Sequence, residues 1–358
     1  MKHIVVGLSG GVDSAVAALL LKQAGHRVTA VFMKNWDEDD DTGYCPAAAD
    51  LEDARKICDI LDVELQTVSF SPEYWDRVFT RFLDEYRAGR TPNPDIVCNR
   101  EIKFRAFLDH GLGLGADAIA TGHYARLENN TRVRLLKGAD SGKDQTYFLH
   151  TLDQSQLAST LFPVGHLEKR RVRELAAENG FPNHAKKDST GICFIGERKF
   201  SDFLAHYLPG QPGEIKTLDD AVIGEHQGLV FYTLGQRQGL GIGGLKDTSG
   251  APWYVACKET DTNVLRVVQG VDHPALFSRQ LHASQLHWIS GSRPALPLSC
   301  TARIRHQQED QPCMITATHS GECMVEFRQP QRAVTPGQSV VFYDNEECLG
   351  GGIIERST

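Results

Sequence analysis

The chain has no apolar run long enough to cross a membrane. Its longest apolar run near the N-terminus covers residues 15–21, whereas a spanning helix needs about 20 apolar residues. It also has no secretory leader pattern, because Lys2 is followed directly by a short strand-like segment. We therefore expect a cytoplasmic protein without a membrane partner. Its length of 358 residues predicts two or three domains.

Closely spaced cysteines are absent as well. The nine cysteines include no Cys-x-x-Cys pair, which zinc and iron–sulfur sites usually need. We therefore expect no structural metal. In a reducing cytosol most of these cysteines should be thiols, and a few of them can be reactive.

The chain has no general excess of positive charge. Its formal net charge of -8 at pH 7 argues against a protein that binds nucleic acid over its whole surface. Two stretches are nevertheless basic, with five basic against two acidic residues in 87–105 and six against three in 168–187. They predict either a local RNA-binding surface or solvated helix faces, and charge alone does not separate the two.

A glycine-rich turn, Ser9-Gly10-Gly11-Val12-Asp13-Ser14, joins the first apolar run to the first helical pattern. Strand, glycine-rich turn and helix in this order point backbone N–H groups at a phosphate. The serines can add hydroxyl donors, and Asp13 can hold a metal ion or cap the helix. No lysine follows the glycines, which excludes the P-loop that grips terminal phosphates. An ordinary helix start capped by Asp13 or Ser14 is the alternative.

The N-terminal part alternates between strand and helix patterns. Strands are predicted over residues 4–8, 28–32, 63–68 and 116–120, and helices over residues 14–24, 50–61 and 74–88, with Gly25 ending the first helix. This alternation predicts a doubly wound parallel sheet with helices on both faces. Ligands of such sheets gather at the carboxyl ends of the strands. Residues 9–14 and 121–124 both lie there, so we expect them to face one site.

The pattern changes after about residue 200. Prolines and glycines punctuate residues 209–213, short glycine-rich β segments follow, and apolar residues alternate beyond about residue 281. We predict a catalytic domain over residues 1–200, a small central β-rich domain over residues 201–278, and an antiparallel β-barrel over residues 279–358. The acidic run 37–41 predicts a solvated loop.

A segment stiffened by two prolines carries a carboxylate and a thiol. Pro92 and Pro94 restrict the backbone of residues 91–99. The segment can therefore present Asp95 and Cys98 together, where a thiolate can act as a nucleophile and a carboxylate can move protons. Alternatively, Cys98 is a small buried hydrophobe.

A second thiol, Cys193, lies in the glycine-containing motif 188–196. The nearby Lys186 and Lys187 would lower the pKa of this thiol and favour its reactive anion. A buried core position between two apolar neighbours is the alternative.

Charge, amide and aromatic groups lie side by side in residues 143–147. Such a cluster can contact phosphate and stack a base. A solvated helix start capped by Asp144 is the alternative.

Together these motifs resemble the bacterial tRNA-specific 2-thiouridylases, and the resemblance covers essentially the whole chain. Their glycine-rich turn is the PP-loop, SGGxDS, of enzymes that split ATP between its α and β phosphates. The motifs that match are Gly7-Leu8-Ser9-Gly10-Gly11-Val12-Asp13-Ser14, Phe32-Met33-Lys34-Asn35-Trp36, residues 91–99, Thr121-Gly122-His123-Tyr124, and residues 188–196, 224–228, 234–237 and 350–354. The resemblance implies ATP-dependent transfer of sulfur to carbon 2 of the wobble uridine in tRNAs for Lys, Glu and Gln.

The resemblance also implies partners and roles. ATP and Mg²⁺ would be required, with tRNA as substrate and a persulfide relay protein, downstream of a cysteine desulfurase, as sulfur donor. The ATP site would comprise Gly7, Leu8, Ser9, Gly10, Gly11, Val12, Asp13, Ser14, Met33 and Gly122. Asn93, Pro94 and Asp95 would surround the target base, with Asp95 as acid/base. The tRNA contacts would be His123, Lys143, Asp144, Gln145, Arg305, His306 and Gln338.

In the same family scheme Cys193 would accept the persulfide. Cys98 would be the nucleophile that helps to release the sulfur, leaving a Cys98–Cys193 disulfide. The family usually has Tyr after the barrel Arg, and His306 departs from this pattern.

Two other functions fit parts of the sequence. A PP-loop enzyme that amidates or ligates a small metabolite needs neither paired cysteines nor a C-terminal barrel. A non-catalytic RNA-binding module would use the barrel and the basic stretches, but it leaves residues 9–14 without a role.

Overall fold

The computed structural model of the chain describes residues 1–36, 46–187, 200–242, 250–318 and 321–358. Cys193, with its motif 188–196, and the acidic run 37–41 therefore lie outside the described residues. Within the described part, no helix combines the length and the apolar character that crossing a membrane requires.

The described strands number seventeen. They are β1 (His3–Gly7), β2 (Arg27–Lys34), β3 (Glu64–Ser69), β4 (Ala118–Ala120), β5 (Ala125–Asn129), β6 (Val133–Lys137), β7 (Thr160–Leu161), β8 (Gly213–Lys216), β9 (Val222–His226), β10 (Trp253–Glu259), β11 (Val264–Gln269), β12 (Phe277–Trp288), β13 (Leu298–Arg303), β14 (Gln311–Ala317), β15 (Cys323–Arg332), β16 (Ser339–Asp344) and β17 (Glu347–Ser357).

The α-helices lie mostly in the first half of the chain. They are α1 (Val12–Gln23), α2 (Pro46–Leu61), α3 (Ser71–Tyr74), α4 (Thr80–Arg87), α5 (Pro94–Cys98), α6 (Phe107–Gly113), α7 (Thr146–Leu149), α8 (Gln154–Ala158), α9 (Lys169–Glu178) and α10 (Phe200–Tyr207). Two π-helical segments, Trp75–Phe79 and Asn99–Ala106, connect α3 to α4 and α5 to α6.

The first sheet confirms the predicted doubly wound architecture. Its strands are parallel and ordered β3-β2-β1-β4-β7. Val5 and Val31 face one hydrophobic core, whereas Val6 and Ala30 face another. Burial on both faces explains why these strands are continuous apolar runs. Gly25 ends α1 with φ +78, as predicted.

The predicted helix over residues 74–88 begins earlier than its apolar spacing indicated. It starts with α3 at Ser71, where Pro72 occupies the first turn. Proline is tolerated there because its missing N–H would have no partner within the helix. The helix then passes through a π-helical segment before α4.

The β-rich part contains two further sheets. A four-stranded sheet has the order β10-β11-β8-β9. The predicted antiparallel barrel is confirmed, since β12-β15-β14-β13-β16-β17 close through the β12–β17 pairing. Alternating residues such as Cys323, Val325 and Phe327 fill its interior.

One element was missed by the sequence analysis. The hairpin β5–β6 of the N-terminal part pairs with barrel strand β17 through Leu136 and Glu347. The carboxylate of Glu347 also accepts hydrogen bonds from Arg132 and Arg134. This hairpin joins the barrel to the first domain.

Candidate active site

The glycine-rich turn forms an open backbone cradle between β1 and α1. Gly10 has φ +74, and a Cβ there would lie 2.3 Å from the carbonyl oxygen of Asp50, so only glycine fits. The N-cap of α1 is Gly11, and none of the described side chains caps this helix. Ser14 instead donates its hydroxyl to the Gly11 carbonyl oxygen at 3.0 Å. The alternative of an ordinary helix start capped by Asp13 or Ser14 is therefore wrong.

The carboxyl ends of the neighbouring strands β2 and β4 lie next to this turn, as expected if residues 9–14 and 121–124 face one site. A Cβ on Gly122 would lie 2.6 Å from the backbone nitrogen of Ser14. A Cβ on Gly7 would lie 3.1 Å from Cε of Met33. The structure thus brings the turn, the end of β2 and the end of β4 together at the start of α1.

The turn has no lysine of its own, but a lysine from α9 contacts it. The Lys169 ammonium lies 2.8 Å from both carboxylate oxygens of Asp13, and the Tyr124 hydroxyl donates to the same carboxylate at 2.7 Å. Lys169 is 9% exposed. The sequence placed Lys169 in a basic stretch, but no local pattern indicated which lysine reaches Asp13.

The residues just before the Cys193 motif are also tied to the turn. The buried Asn183 donates its amide Nδ2 to the Gly10 carbonyl oxygen at 2.9 Å. Lys186 lies 2.7 Å from a carboxylate oxygen of Asp50 and 2.6 Å from one of Asp53. Burial opposes the charge of Lys186, but these bonds raise its pKa on balance. Its effect on Cys193 stays a prediction, since that thiol lies outside the described residues.

Asp95 lies in the first turn of α5, and Cys98 at its end. Asn93 caps the helix by accepting a hydrogen bond from the Asp95 N–H at 3.2 Å. Burial raises the pKa of Asp95, and the charges of Lys103 and His306 offset part of that rise. A carboxyl with a raised pKa is suited to proton transfer near neutral pH. Cys98 is 2% exposed, so its thiol is buried in this arrangement.

His123 follows Gly122 at the end of β4. Burial lowers the pKa of His123 well below its ordinary value, and the charge of Lys103 lowers it further. Its Nδ1 lies 2.8 Å from Oγ1 of Thr121. His123 is therefore a neutral imidazole at pH 7. Lys103, whose charge acts on both Asp95 and His123, was not predicted as a site residue.

Asp144 is buried, contrary to the alternative of a solvated helix cap. Its side chain is 3% exposed, and its carboxylate lies 2.8 Å from the guanidinium of Arg303 in the barrel. It also accepts hydrogen bonds from the N–H groups of Gly138 and Thr146. Gln145 accepts from the Tyr124 N–H at 2.9 Å, and Lys143 is half-buried. The predicted tRNA contacts at residues 143–145 stay predictions. The carboxylate of Asp144 is already engaged in an ion pair with the barrel residue Arg303.

Of the three predicted barrel residues, His306 and Gln338 contact the first domain, whereas Arg305 bonds to the segment between β15 and β16. His306 contacts the Asp144 carbonyl oxygen at 2.8 Å, and its ring lies 4.4 Å from that of Phe148. Arg305 donates to the Ala333 carbonyl oxygen at 2.9 Å. Gln338 donates to the Thr91 carbonyl oxygen at 2.7 Å. The fold therefore brings barrel residues beside the Asp95 helix.

The basic stretch 87–105 has less unpaired positive charge for binding RNA than its composition suggested. Arg87 pairs with Asp84, Arg90 with Glu85 and Glu355, and both Arg100 and Arg105 pair with Glu101. Most of its charge is therefore balanced by neighbouring carboxylates, including Glu355 from the barrel.

The Asp144–Arg303 pair yields a stability prediction. Arg303→Ala would leave a buried carboxylate without its cation, so we expect the free energy of unfolding to fall by about 3–5 kcal/mol. The exposed Arg171–Glu178 pair is a matched control, for which Arg171→Ala should leave the free energy of unfolding almost unchanged because solvent screens the pair. Urea unfolding measures both, and equal losses would contradict the structural role given to Asp144.

The fold and the cradle define a multidomain α/β protein with a glycine-rich turn between the first strand and the first helix. Comparisons agree with this class: residues 2–197 match the family model "tRNA methyl transferase HUP domain", residues 201–269 the "tRNA methyl transferase PRC-barrel domain", and residues 278–354 the "Aminomethyltransferase beta-barrel domain". The tRNA-specific 2-thiouridylase MnmA of Alcanivorax borkumensis is 58% identical over 355 residues, covering 99% of this chain and 98% of the relative. That of Methylococcus capsulatus is 61% identical over 356 residues, with 99% and 96% covered. The chain belongs to the tRNA-specific 2-thiouridylase family.

A solved 4-thiouridine synthetase–RNA complex with bound ATP is more distantly similar. It is 18% identical and covers 58% of this chain and 50% of its own, with a TM-score of 0.36. A likeness of that degree is too low to bear on function.

Proposed function

We propose that the chain transfers sulfur to carbon 2 of the wobble uridine in tRNAs for Lys, Glu and Gln, consuming ATP and releasing AMP and pyrophosphate. The observation that carries the proposal is the meeting of two features. The cradle at residues 9–14 packs against Gly122. The ring of the next residue, His123, lies 5.6 Å from that of Phe104, in the π-helical segment that continues the helix of Asp95. Family membership identifies tRNA as the substrate class.

The residues of the cradle fit the phosphates of ATP. Gly10 and Gly122 let the backbone of Asp50 and of residues 13–14 approach closely and so shape the turn, and the uncapped N–H groups at the start of α1 favour an anion. Met33 at the end of β2 would border the adenosine.

Asp13 is the acidic side chain that could hold Mg²⁺ in the turn. Within the described residues there is no group of three or more acidic, histidine or cysteine side chains that could bind a metal. The Asp13 carboxylate also accepts hydrogen bonds from Lys169 and Tyr124. The ion would therefore take most of its ligands from phosphate and water, as Mg²⁺ usually does. When bound, it would neutralise charge on the pyrophosphate.

The first step replaces a poor leaving group with a good one. Uracil O2 attacks the α phosphorus, the bond to the β phosphate's bridging oxygen breaks, and pyrophosphate leaves. Asp95 would accept the N3 proton as O2 attacks and return it later, which its raised pKa suits. The N–H groups of the turn would stabilise charge on the phosphates.

The second step requires two thiols. The outer sulfur of a Cys193 persulfide attacks carbon 2 and AMP leaves, giving a base–S–S–Cys193 disulfide. The Cys98 thiolate then attacks Sγ of Cys193, forming a Cys98–Cys193 disulfide and releasing 2-thiouridine. The two electrons lost by the thiols reduce the sulfane sulfur. Cys98, at 2% exposure, must become accessible for this attack.

The partners follow from this chemistry. The base must leave the stack of the anticodon loop, which a single-stranded loop permits at low cost. A persulfide relay protein downstream of a cysteine desulfurase would load Cys193, and the reaction would take place in the cytoplasm.

Cys193→Ala tests the sulfur role. We expect it to abolish 2-thiouridine, measured by mass spectrometry of tRNA nucleosides, while tRNA-dependent pyrophosphate release from the adenylation step continues. Cys257→Ala is the control, because this exposed cysteine lies on β10 and has no role in the proposed reaction. Wild-type 2-thiouridine from Cys193→Ala would contradict the role of Cys193. AMP formation without tRNA would favour the small-metabolite ligase instead.

A further inference from the structure

A turn of the barrel grips the backbone of the segment that carries Asp95 and Cys98. We call residues 335–338, between β15 and β16, the barrel turn, and residues 91–98 the catalytic segment. The N–H of Thr91 donates to the Pro336 carbonyl oxygen at 2.9 Å. The Thr91 carbonyl oxygen accepts from Nε2 of Gln338 at 2.7 Å. Both backbone polar groups of Thr91, which is 8% exposed, are therefore held by the barrel turn.

The contact is close and well supported. Gly337 has φ +91, and a Cβ there would lie 2.9 Å from the Thr91 nitrogen, so only glycine allows this approach. The barrel turn is itself anchored, because Gly337 and Gln338 exchange backbone hydrogen bonds with Ile354 at 2.8 Å each. Arg90, the preceding residue, also bonds to Glu355 of β17.

The connection from Thr91 to Asp95 is short and stiff. Three residues separate Thr91 from Asp95, and two of them, Pro92 and Pro94, have a fixed φ. The third, Asn93, caps the helix by accepting a hydrogen bond from the N–H of Asp95. A shift of Thr91 would therefore move the cap and the Asp95 carboxyl instead of being absorbed by rotation of the backbone.

We propose that the barrel turn is a positioning element for the catalytic segment, and that Gln338 acts on the reaction through Thr91. The inference rests on the proposed function and assigns Gln338 a role besides the predicted tRNA contact. The barrel would thereby couple its position on the RNA to the placement of Asp95.

Two variants test this proposal against matched controls. Gln338→Glu keeps the shape but loses the donor, and Gln329→Glu makes the same change at an exposed barrel residue. Gly337→Ala adds a methyl group against Thr91. Gly291→Ala adds one at a similar φ of +78 where no atom lies within 4 Å.

We expect Gln338→Glu and Gly337→Ala to lower kcat for thiolation at saturating tRNA about 10- to 100-fold, with the Kd for tRNA of Gly337→Ala changed less than about twofold. The acid limb of the kcat–pH profile, set by Asp95, should also move. The control variants should retain wild-type kcat. Hydrogen exchange of the amides in residues 92–98 should accelerate in Gly337→Ala and not in Gly291→Ala.

Each other outcome has one meaning. If Gln338→Glu weakens tRNA binding but keeps kcat at saturating tRNA, Gln338 is a direct RNA contact and the positioning role is overturned. If Gly337→Ala matches Gly291→Ala in kcat and in hydrogen exchange, the contact between the barrel turn and Thr91 does not position the catalytic segment, and the proposal is overturned. If the wild type makes no 2-thiouridine, the proposed function fails, and hydrogen exchange still decides the positioning role.

Discussion

Gly122→Ala should remove ATP-dependent activity while leaving the fold in place. The added Cβ would lie 2.6 Å from the Ser14 nitrogen, 2.7 Å from the Asp13 carbonyl carbon and 3.0 Å from the Ser14 Cα. All three are backbone atoms, so no side chain can rotate away. The end of β4 or the start of α1 must move, which displaces the N–H groups that would face the phosphates. Losing one such donor typically costs about 10²–10³ in rate.

We therefore expect kcat/KM for ATP to fall by about 10² or more, measured as tRNA-dependent pyrophosphate release. Gly113→Ala is the matched control. Gly113 ends α6, and a Cβ there would meet no atom within 4 Å, so the control should keep full activity and gain slightly in stability. If Gly122→Ala retained wild-type kcat/KM, the cradle would not be the nucleotide site.

Asp95→Asn should change activity and stability in opposite directions. Burial raises the pKa of Asp95, so the folded state favours the protonated carboxyl. The stability that this group contributes is present at low pH and is lost as pH rises through its folded-state pKa. Asparagine has no such charge to bury, so the free energy of unfolding at pH 7 should rise. The thiolation rate should fall by about 10²–10⁴, because no group replaces the acid/base.

The pH dependence gives a second measurement for the same variant. Wild-type kcat should rise with pH through a pKa above the ordinary 3.8 of aspartate, and this limb should be absent from the residual activity of Asp95→Asn. Asp76→Asn, at an exposed position, is the control. An active Asp95→Asn enzyme with an unchanged acid limb would exclude Asp95 as the acid/base.

Much of the fold could be predicted because its signals are local. The glycine-rich turn, the strand–helix alternation and the alternating apolar residues of the barrel are each legible within about ten residues. Buried Val5 and Val6 on opposite faces of β1 follow directly from strand geometry.

The missed features are contacts between residues far apart in the chain. Lys169 reaches Asp13 across 156 positions, and Gln338 reaches Thr91 across 247. Asp144 was weighed as a solvated cap because its partner Arg303 lies 159 positions away. Composition also overstated the free positive charge of residues 87–105, since their partners include Glu355 of β17. Tertiary pairing, which no local pattern encodes, decides these roles.

Nucleoside mass spectrometry of tRNA tests the central proposal most directly. Wild-type protein would be incubated with unmodified tRNA, ATP, Mg²⁺ and a persulfide donor, with the nucleotide products quantified in parallel. We predict 2-thiouridine at the wobble position, with AMP and pyrophosphate formed together and neither product without ATP. Formation of ADP and phosphate, or of AMP without any sulfur on the tRNA, would contradict the proposed function.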